Sequence, residues 1–115
     1  MKRDFQPVTY IMANRKYGAL YTGVTSNLMQ RIQQHREKTF AGFSSETDAK
    51  RLVWYEQAGT MEIAILREKR IKKWNRAWKV ALIEASNRDW RDMAVELGLE
   101  PLPVVIPAKA GTQSG

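Results

Sequence analysis

The chain has 115 residues, enough for one domain with a modest core, and 43% of them are apolar, with four Trp and three Phe. Nineteen Lys and Arg against twelve Asp and Glu give a net charge of +7, which favours a polyanionic partner, nucleic acid first, although such a balance also serves plain solubility. The lack of Cys and the single His exclude disulfides, thiolate metal sites and multi-histidine sites, and no stretch approaches the roughly 18 apolar residues of a membrane span, so the reading is a soluble, cytoplasmic protein in which any metal takes oxygen ligands.

Residues 1–7 carry charges with no apolar run behind them and are expected to form a flexible N-terminus. Residues 8–13 and 20–25 are rich in β-branched and aromatic types, and the polar stretch Asn14-Arg15-Lys16-Tyr17-Gly18 between them predicts a hairpin. A tight turn about Arg15 and Lys16 would set Tyr10 directly opposite Tyr21 on one face of the sheet. Asn27 followed by Gln30 resembles a capping box, and Leu28, Ile32 and His35 continue at helical spacing towards Lys38. The stretch 39–48, with Gly42 and several Ser and Thr, has no sustained periodicity and predicts a mobile loop before a third strand over 51–56. Gly59 and Thr60 open a helix whose apolar stripe is Met61, Ala64, Ile65 and Ile71. A break is expected near Trp74, after which Asn75 caps a second helix carrying Trp78, Leu82 and Ile83 on its apolar face. Asn87-Arg88-Asp89 marks a turn, Trp90, Met93 and Leu97 form a last short apolar face, and Gly98 is a stop signal. Pro101, Pro103 and Pro107 lead into a segment without large side chains after Ile106, so 100–115 reads as a disordered tail. The order ββαβααα places the chain in the α+β class, as a small, three-stranded, mainly antiparallel sheet packed with helices, one domain spanning 8–99.

Several polar residues fall where packing alone would not put them. Tyr10 and Tyr21 either stabilise the hairpin as a cross-strand pair or bring two phenols to one site. Arg31 and His35 lie four residues apart on the helix face flanked by Leu28 and Ile32, whereas Arg36 and Lys38 read as a solvated face. A guanidinium at the edge of the core suits a phosphate, because its planar fork donates two hydrogen bonds and stays charged. His35 is equally readable as a packing residue, a phosphate donor or a proton-transfer group. Glu68 interrupts an apolar stripe, either to pair with Lys72 at i, i+4 or to bind a metal; one carboxylate completed by waters suits Mg²⁺. Gly23 marks either a bulge or a close approach in the second strand and is assigned a structural role. The basic series Lys69, Arg70, Lys72, Lys73, Arg76 and Lys79 is a solvated surface or a DNA track.

Read together, Val8-Thr9-Tyr10, Tyr21-Thr22-Gly23, Arg31 with His35, and Arg67-Glu68-Lys69-Arg70-Ile71-Lys72 resemble the pattern of the GIY-YIG nucleases, in particular their small single-domain bacterial branch. The likeness runs from about Thr9 to Leu97 and includes the Tyr-Thr-Gly-Val-Thr and Asn75-x-x-Trp78 segments; it departs at Val8-Thr9, where the family name has Gly-Ile, and at Thr22, where it has Ile. The resemblance implies a phosphodiesterase in which Glu68 binds one Mg²⁺ or Mn²⁺, Arg31 contacts the scissile phosphate, and Tyr10 or Tyr21 helps generate the nucleophile, with His35 counted among the catalytic residues. Gly23, Asn87 and Lys72 take structural or substrate-positioning roles. Because a phenol is a poor base at its ordinary pKa of about 10, that chemistry asks for a neighbouring cation to depress it or for a metal-activated water. The implied substrate is nucleic acid, DNA ahead of RNA, cut to leave 5′-phosphate and 3′-hydroxyl ends, with room for a separate targeting protein. The rival reading is a non-catalytic nucleic-acid-binding or partner-recruitment module that keeps the scaffold.

Overall fold

A computed structural model describes residues 6–37 and 49–100. Two strands, β1 (Val8–Ala13) and β2 (Leu20–Thr25), form a hairpin; α1 (Leu28–Glu37) follows, then β3 (Arg51–Gln57), α2 (Met61–Lys73) and α3 (Arg76–Ser86). The final apolar segment, expected as a helix, takes only a 3₁₀ turn at Val95–Leu97 and stops at Gly98 with φ of 102°. The sheet is antiparallel in the order β2-β1-β3. The expected loop over 39–48 and tail after Glu100 lie outside the described residues, as do the first five residues.

β1 is the central strand, and all six of its residues are buried because both faces of the sheet are covered. On one face Val8, Tyr10 and Met12 pack with Ile32 of α1, Leu52 and Ala94, joined by Leu28, Met93 and Leu97. On the other, Ile11 and Ala13 meet Ile71 and Ile83 from α2 and α3, together with Val53, Trp54 and Trp90. Thr9 faces the same way, and its hydroxyl donates to the Ala64 carbonyl of α2 at 2.8 Å. Alternation alone would put Val53 and Trp54 on opposite faces. The register shifts between Ile11 and Met12, which pair with Trp54 and Leu52, so Val53 is an extra residue that bulges β3 and lets both side chains enter the second core.

The helix starts follow their sequence signals. Asn27 Oδ1 accepts from Gln30 N at 3.2 Å, Thr60 Oγ1 from Ile63 N at 3.2 Å, and Asn75 Oδ1 from Trp78 N at 2.9 Å. Trp74 closes α2 in an extended conformation, which separates the two helices where the break was expected.

Two expectations are corrected. The hairpin loop is not a tight turn about Arg15 and Lys16: it spans six residues closed by Asn14, whose N–H donates to Ala19 O at 3.3 Å and whose Oδ1 accepts from Ala19 N at 2.9 Å, with Tyr17 at φ 60°. Arg36, read as solvated, is largely buried. Its Nη2 lies 2.7 Å from Asp92 Oδ2 and its Nη1 donates to Glu100 O at 2.8 Å, while Asp92 Oδ1 accepts from Leu52 N and Ala94 N. This pair ties the segment after α3 to α1 and β3.

Candidate active site

The wider loop moves the register, so Tyr10 sits opposite Gly23 and Tyr21 opposite Met12. The two tyrosines still project from one face, as diagonal neighbours with ring centroids 6.4 Å apart. Gly23 is what permits this arrangement. A Cβ added there would lie 2.5 Å from Tyr10 Oη and 2.7 Å from its Cζ, so the phenol rests directly against the backbone of the edge strand. The need is for space rather than for an unusual backbone angle.

α1 brings His35 onto the same face. Its Nε2 is 2.9 Å from Tyr10 Oη, and its ring meets Tyr10 edge-on at 5.5 Å and Tyr21 at 4.7 Å. Both Tyr10 and His35 are fully buried. Arg31, one turn earlier, is close enough for its charge to act on Tyr10 and His35 alike. From α2, Glu68 is close enough for its charge to act on Tyr10. Its side chain is 13% exposed, and Oε2 lies 2.6 Å from Lys72 Nζ. Residues from β1, β2, α1 and α2 thus converge on one hydroxyl.

The electrostatics of the cluster set the protonation states. Burial, reinforced by Tyr21, pushes the Tyr10 phenol well above its usual range; Arg31 opposes the rise but loses to desolvation, and Glu68 adds a smaller push upwards. The neighbouring cation expected to depress a tyrosine is present, then, but does not prevail. Burial first, and then the Arg31 charge, lower the His35 imidazole to about 4. At neutral pH both partners of the Tyr10–His35 hydrogen bond are uncharged, and the bond can run in either direction with the tautomer.

Two sequence candidates fall elsewhere. Asn87 is buried, and its amide is engaged with the main chain: Nδ2 donates to Val53 O at 3.1 Å and Arg91 O at 2.9 Å, and Oδ1 accepts from Arg91 N at 2.9 Å. Of its two expected roles this fits the structural one, since it satisfies the carbonyl of the bulged residue. Lys72 lies at the rim, half exposed and paired with Glu68. Trp78, read as core, is 59% exposed and stands edge-on to Trp74. Arg67 enters the sequence pattern only as the start of the motif around Glu68 and with no role of its own, although its guanidinium lies 5.7 Å from the Trp54 ring centre and 5.6 Å from that of Trp74 and pairs with Glu56 at 2.7 Å. The neighbouring run of basic residues hid it.

The GIY-YIG catalytic domain family matches residues 6–81. A UPF0213 protein of Aeromonas salmonicida is 28% identical over 102 residues, covering 85% of this chain and 75% of that protein. The solution NMR structure of a UPF0213 protein from Bacillus halodurans, 24% identical, aligns over 83% of this chain and 99% of that one with a TM-score of 0.49.

Proposed function

Since the chain belongs to the GIY-YIG catalytic-domain family, we propose that it is a divalent-cation-dependent endonuclease that hydrolyses phosphodiester bonds in nucleic acid, DNA ahead of RNA. The observation that carries this reading is the convergence of Tyr10, Tyr21, Arg31 and His35 from three elements on one buried hydroxyl, with the Glu68 carboxylate close by.

The donor set fits a hard cation. Among the described residues no three His, Asp or Glu gather as a metal cage, and a single carboxylate such as Glu68 suits Mg²⁺ or Mn²⁺, which keep waters and take up substrate oxygens. Glu68 would hold the ion, giving up its pair with Lys72 as it does so. When bound, the cation supplies Lewis-acid neutralisation of charge on the phosphate oxygens.

The remaining chemistry falls to the side chains. Arg31 binds non-bridging oxygens of the scissile phosphate and stabilises the added charge as phosphorus becomes five-coordinate. Tyr10 remains a phenol at neutral pH and aligns the attacking water through its hydroxyl. The uncharged His35 holds that hydroxyl in place through its Nε2 at 2.9 Å and so fixes the direction in which Oη meets the water. The Tyr21 ring holds the imidazole edge-on. The departures at Val8 and Thr9 lend the non-catalytic reading little support, because Val8 packs in the core and the Thr9 hydroxyl is engaged with the Ala64 carbonyl of α2.

Labelled single-stranded, duplex and branched DNA and RNA, each incubated with Mg²⁺ or with EDTA, test the reading. The expected result is cleavage that needs the cation, is abolished in Glu68→Gln, and falls steeply in Arg31→Lys, because a point ammonium does not reproduce the bidentate contact. Binding without cleavage on every substrate would establish the recruitment module instead.

A further inference from the structure

Beyond the catalytic cluster, the junction of α2 and α3 carries an exposed aromatic shelf. Trp74 closes α2 and Trp78 stands in the first turn of α3; the rings meet edge-on at 5.9 Å and 80°, with Ala81 and Leu82 continuing the surface. Trp78 is 59% exposed, whereas Trp54 is 6% exposed and Trp90 is fully buried. Its indole is therefore open to contact from outside the fold, with Trp74, Ala81 and Leu82 making it part of a patch and not a lone apolar residue.

The surrounding charge identifies the partner. Residues 67–79 contain seven Lys and Arg and a single acid, Glu68, so this short segment holds most of the chain's excess positive charge. A basic protein surface would be repelled here, and a second copy of this chain would bring the same charge against itself. The phosphate backbone answers the charge, and the π-face of an unpaired base answers the indole. A continuous duplex offers only the first of these, because its base faces are stacked on one another.

We propose that Trp78, backed by Trp74, is a stacking platform for an unpaired base of a nucleic-acid strand that the basic α2–α3 segment holds by its phosphates. The proposal rests on the nuclease reading for its orientation. Trp74 closes the helix that carries Glu68, six residues or about 9 Å along its axis from it, so the shelf and the assigned metal ligand belong to one element. The preferred substrate class is therefore nucleic acid with a single-stranded stretch, such as a flap, gap or frayed end, beside the bond to be cut.

The test separates binding from cleavage. The Glu68→Gln protein in EDTA is titrated with an oligothymidylate of about 12 nucleotides, within the site sizes of single-strand binders, and with a blunt duplex of the same length, following both polarisation and tryptophan fluorescence. The single strand is expected to bind more tightly and to quench the emission. Adding Trp78→Ala should weaken single-strand binding about 5- to 150-fold and remove most of the quenching while leaving the salt dependence and the melting curve unchanged; Trp78→Phe should restore most of the affinity. A Lys73→Ala change should instead flatten the salt dependence. Single-strand binding that is absent in the parent, or unaltered by Trp78→Ala, overturns the platform whether or not the protein cleaves. Trp78→Ala that changes the sedimentation coefficient and not the DNA affinity also overturns it, in favour of self-association. Trp78-dependent binding by a protein that cuts no substrate would keep the platform and reject the nuclease.

Discussion

A single missing methyl group governs the site. Gly23 leaves room for the Tyr10 ring, and a Cβ there would stand 2.5 Å from Oη, so Gly23→Ala must drive the phenol away from His35. Misplacement of a reacting group by about 1 Å can cost about a hundredfold in rate, and we expect a loss of that order in single-turnover cleavage, with about 1–3 kcal/mol of destabilisation from overpacking. Tyr10→Phe in the same background should recover part of the stability and none of the activity, since it removes the hydroxyl, which is both the nearest clashing atom and the one that aligns water, but keeps Cζ at 2.7 Å. Parent-like cleavage by Gly23→Ala would separate the Tyr10 hydroxyl from the chemistry. His35 gives a second expectation at this scale. Its folded pKa of about 4 lies below the ordinary 6.5, so between these values the unfolded chain binds more protons and stability rises with pH. Its contribution, on the order of 3 kcal/mol, is complete above pH 6.5 and lost as pH falls towards 4. Chemical denaturation between pH 7 and 4 should show this slope in the parent and lose most of it in His35→Gln; equal slopes would mean that the imidazole charges freely in the fold. The residues of this cluster were legible in the sequence because polar groups on apolar stripes are unusual. Their protonation was not, since the contest between Arg31 and desolvation depends on burial.

At the scale of elements, local signals were read well and non-local ones poorly. The Asn27, Thr60 and Asn75 caps act within three residues of themselves, and each is found as the sequence indicates. The diagonal placement of Tyr10 and Tyr21 escaped because it depends on a six-residue loop fastened in part by α3, where Arg76 Nη2 donates to the carbonyls of Tyr17 and Gly18 at 2.8 and 2.6 Å. Periodicity placed Trp78 in the core because it ignores the charges that flank it. The bulge at Val53 leaves no trace in a strand of alternating pattern, and with it the reason for Asn87 is hidden. Asn87 makes three hydrogen bonds that join the bulged strand to the turn in which Trp90 holds a φ of 60°. That backbone angle is costly for a bulky residue. Asn87→Ala should therefore destabilise the protein by about 2–4 kcal/mol, counting the buried main-chain groups left unsatisfied, while the cleavage rate of the folded fraction at low temperature stays near that of the parent. A large loss of rate with an unchanged melting curve would make Asn87 a substrate-positioning residue instead.

The whole molecule extends beyond the segment that defines its family. The family match ends at Ala81, but the cores on both faces of the sheet are completed by later residues: Trp90 and Ile83 on the α2–α3 face, and Ala94, with Met93, Leu97 and Leu99, on the face that carries Tyr10. The connection is polar as well as apolar. Met93 N donates to Leu52 O at 2.7 Å, and the Arg36–Asp92 pair, each side chain less than 15% exposed, clamps the same segment between α1 and β3. Removing one partner of a sheltered pair typically costs about 3–5 kcal/mol, comparable to much of the 5–15 kcal/mol that holds a domain of this size together. A chain cut after Ser86 loses Asn87, Trp90, Asp92 and Ala94 together, and it opens the covered side of the Tyr10 face to water although every residue of the catalytic cluster is still present. It should show no cooperative thermal transition and no cleavage. Arg36→Ala in the full chain, which releases the clamp but keeps the apolar contacts, should melt cooperatively at a lower temperature and recover cleavage on cooling. If the cut chain instead unfolds cooperatively and cleaves like the parent, the chain up to Ser86 is a self-sufficient domain and the segment after α3 is only an attachment.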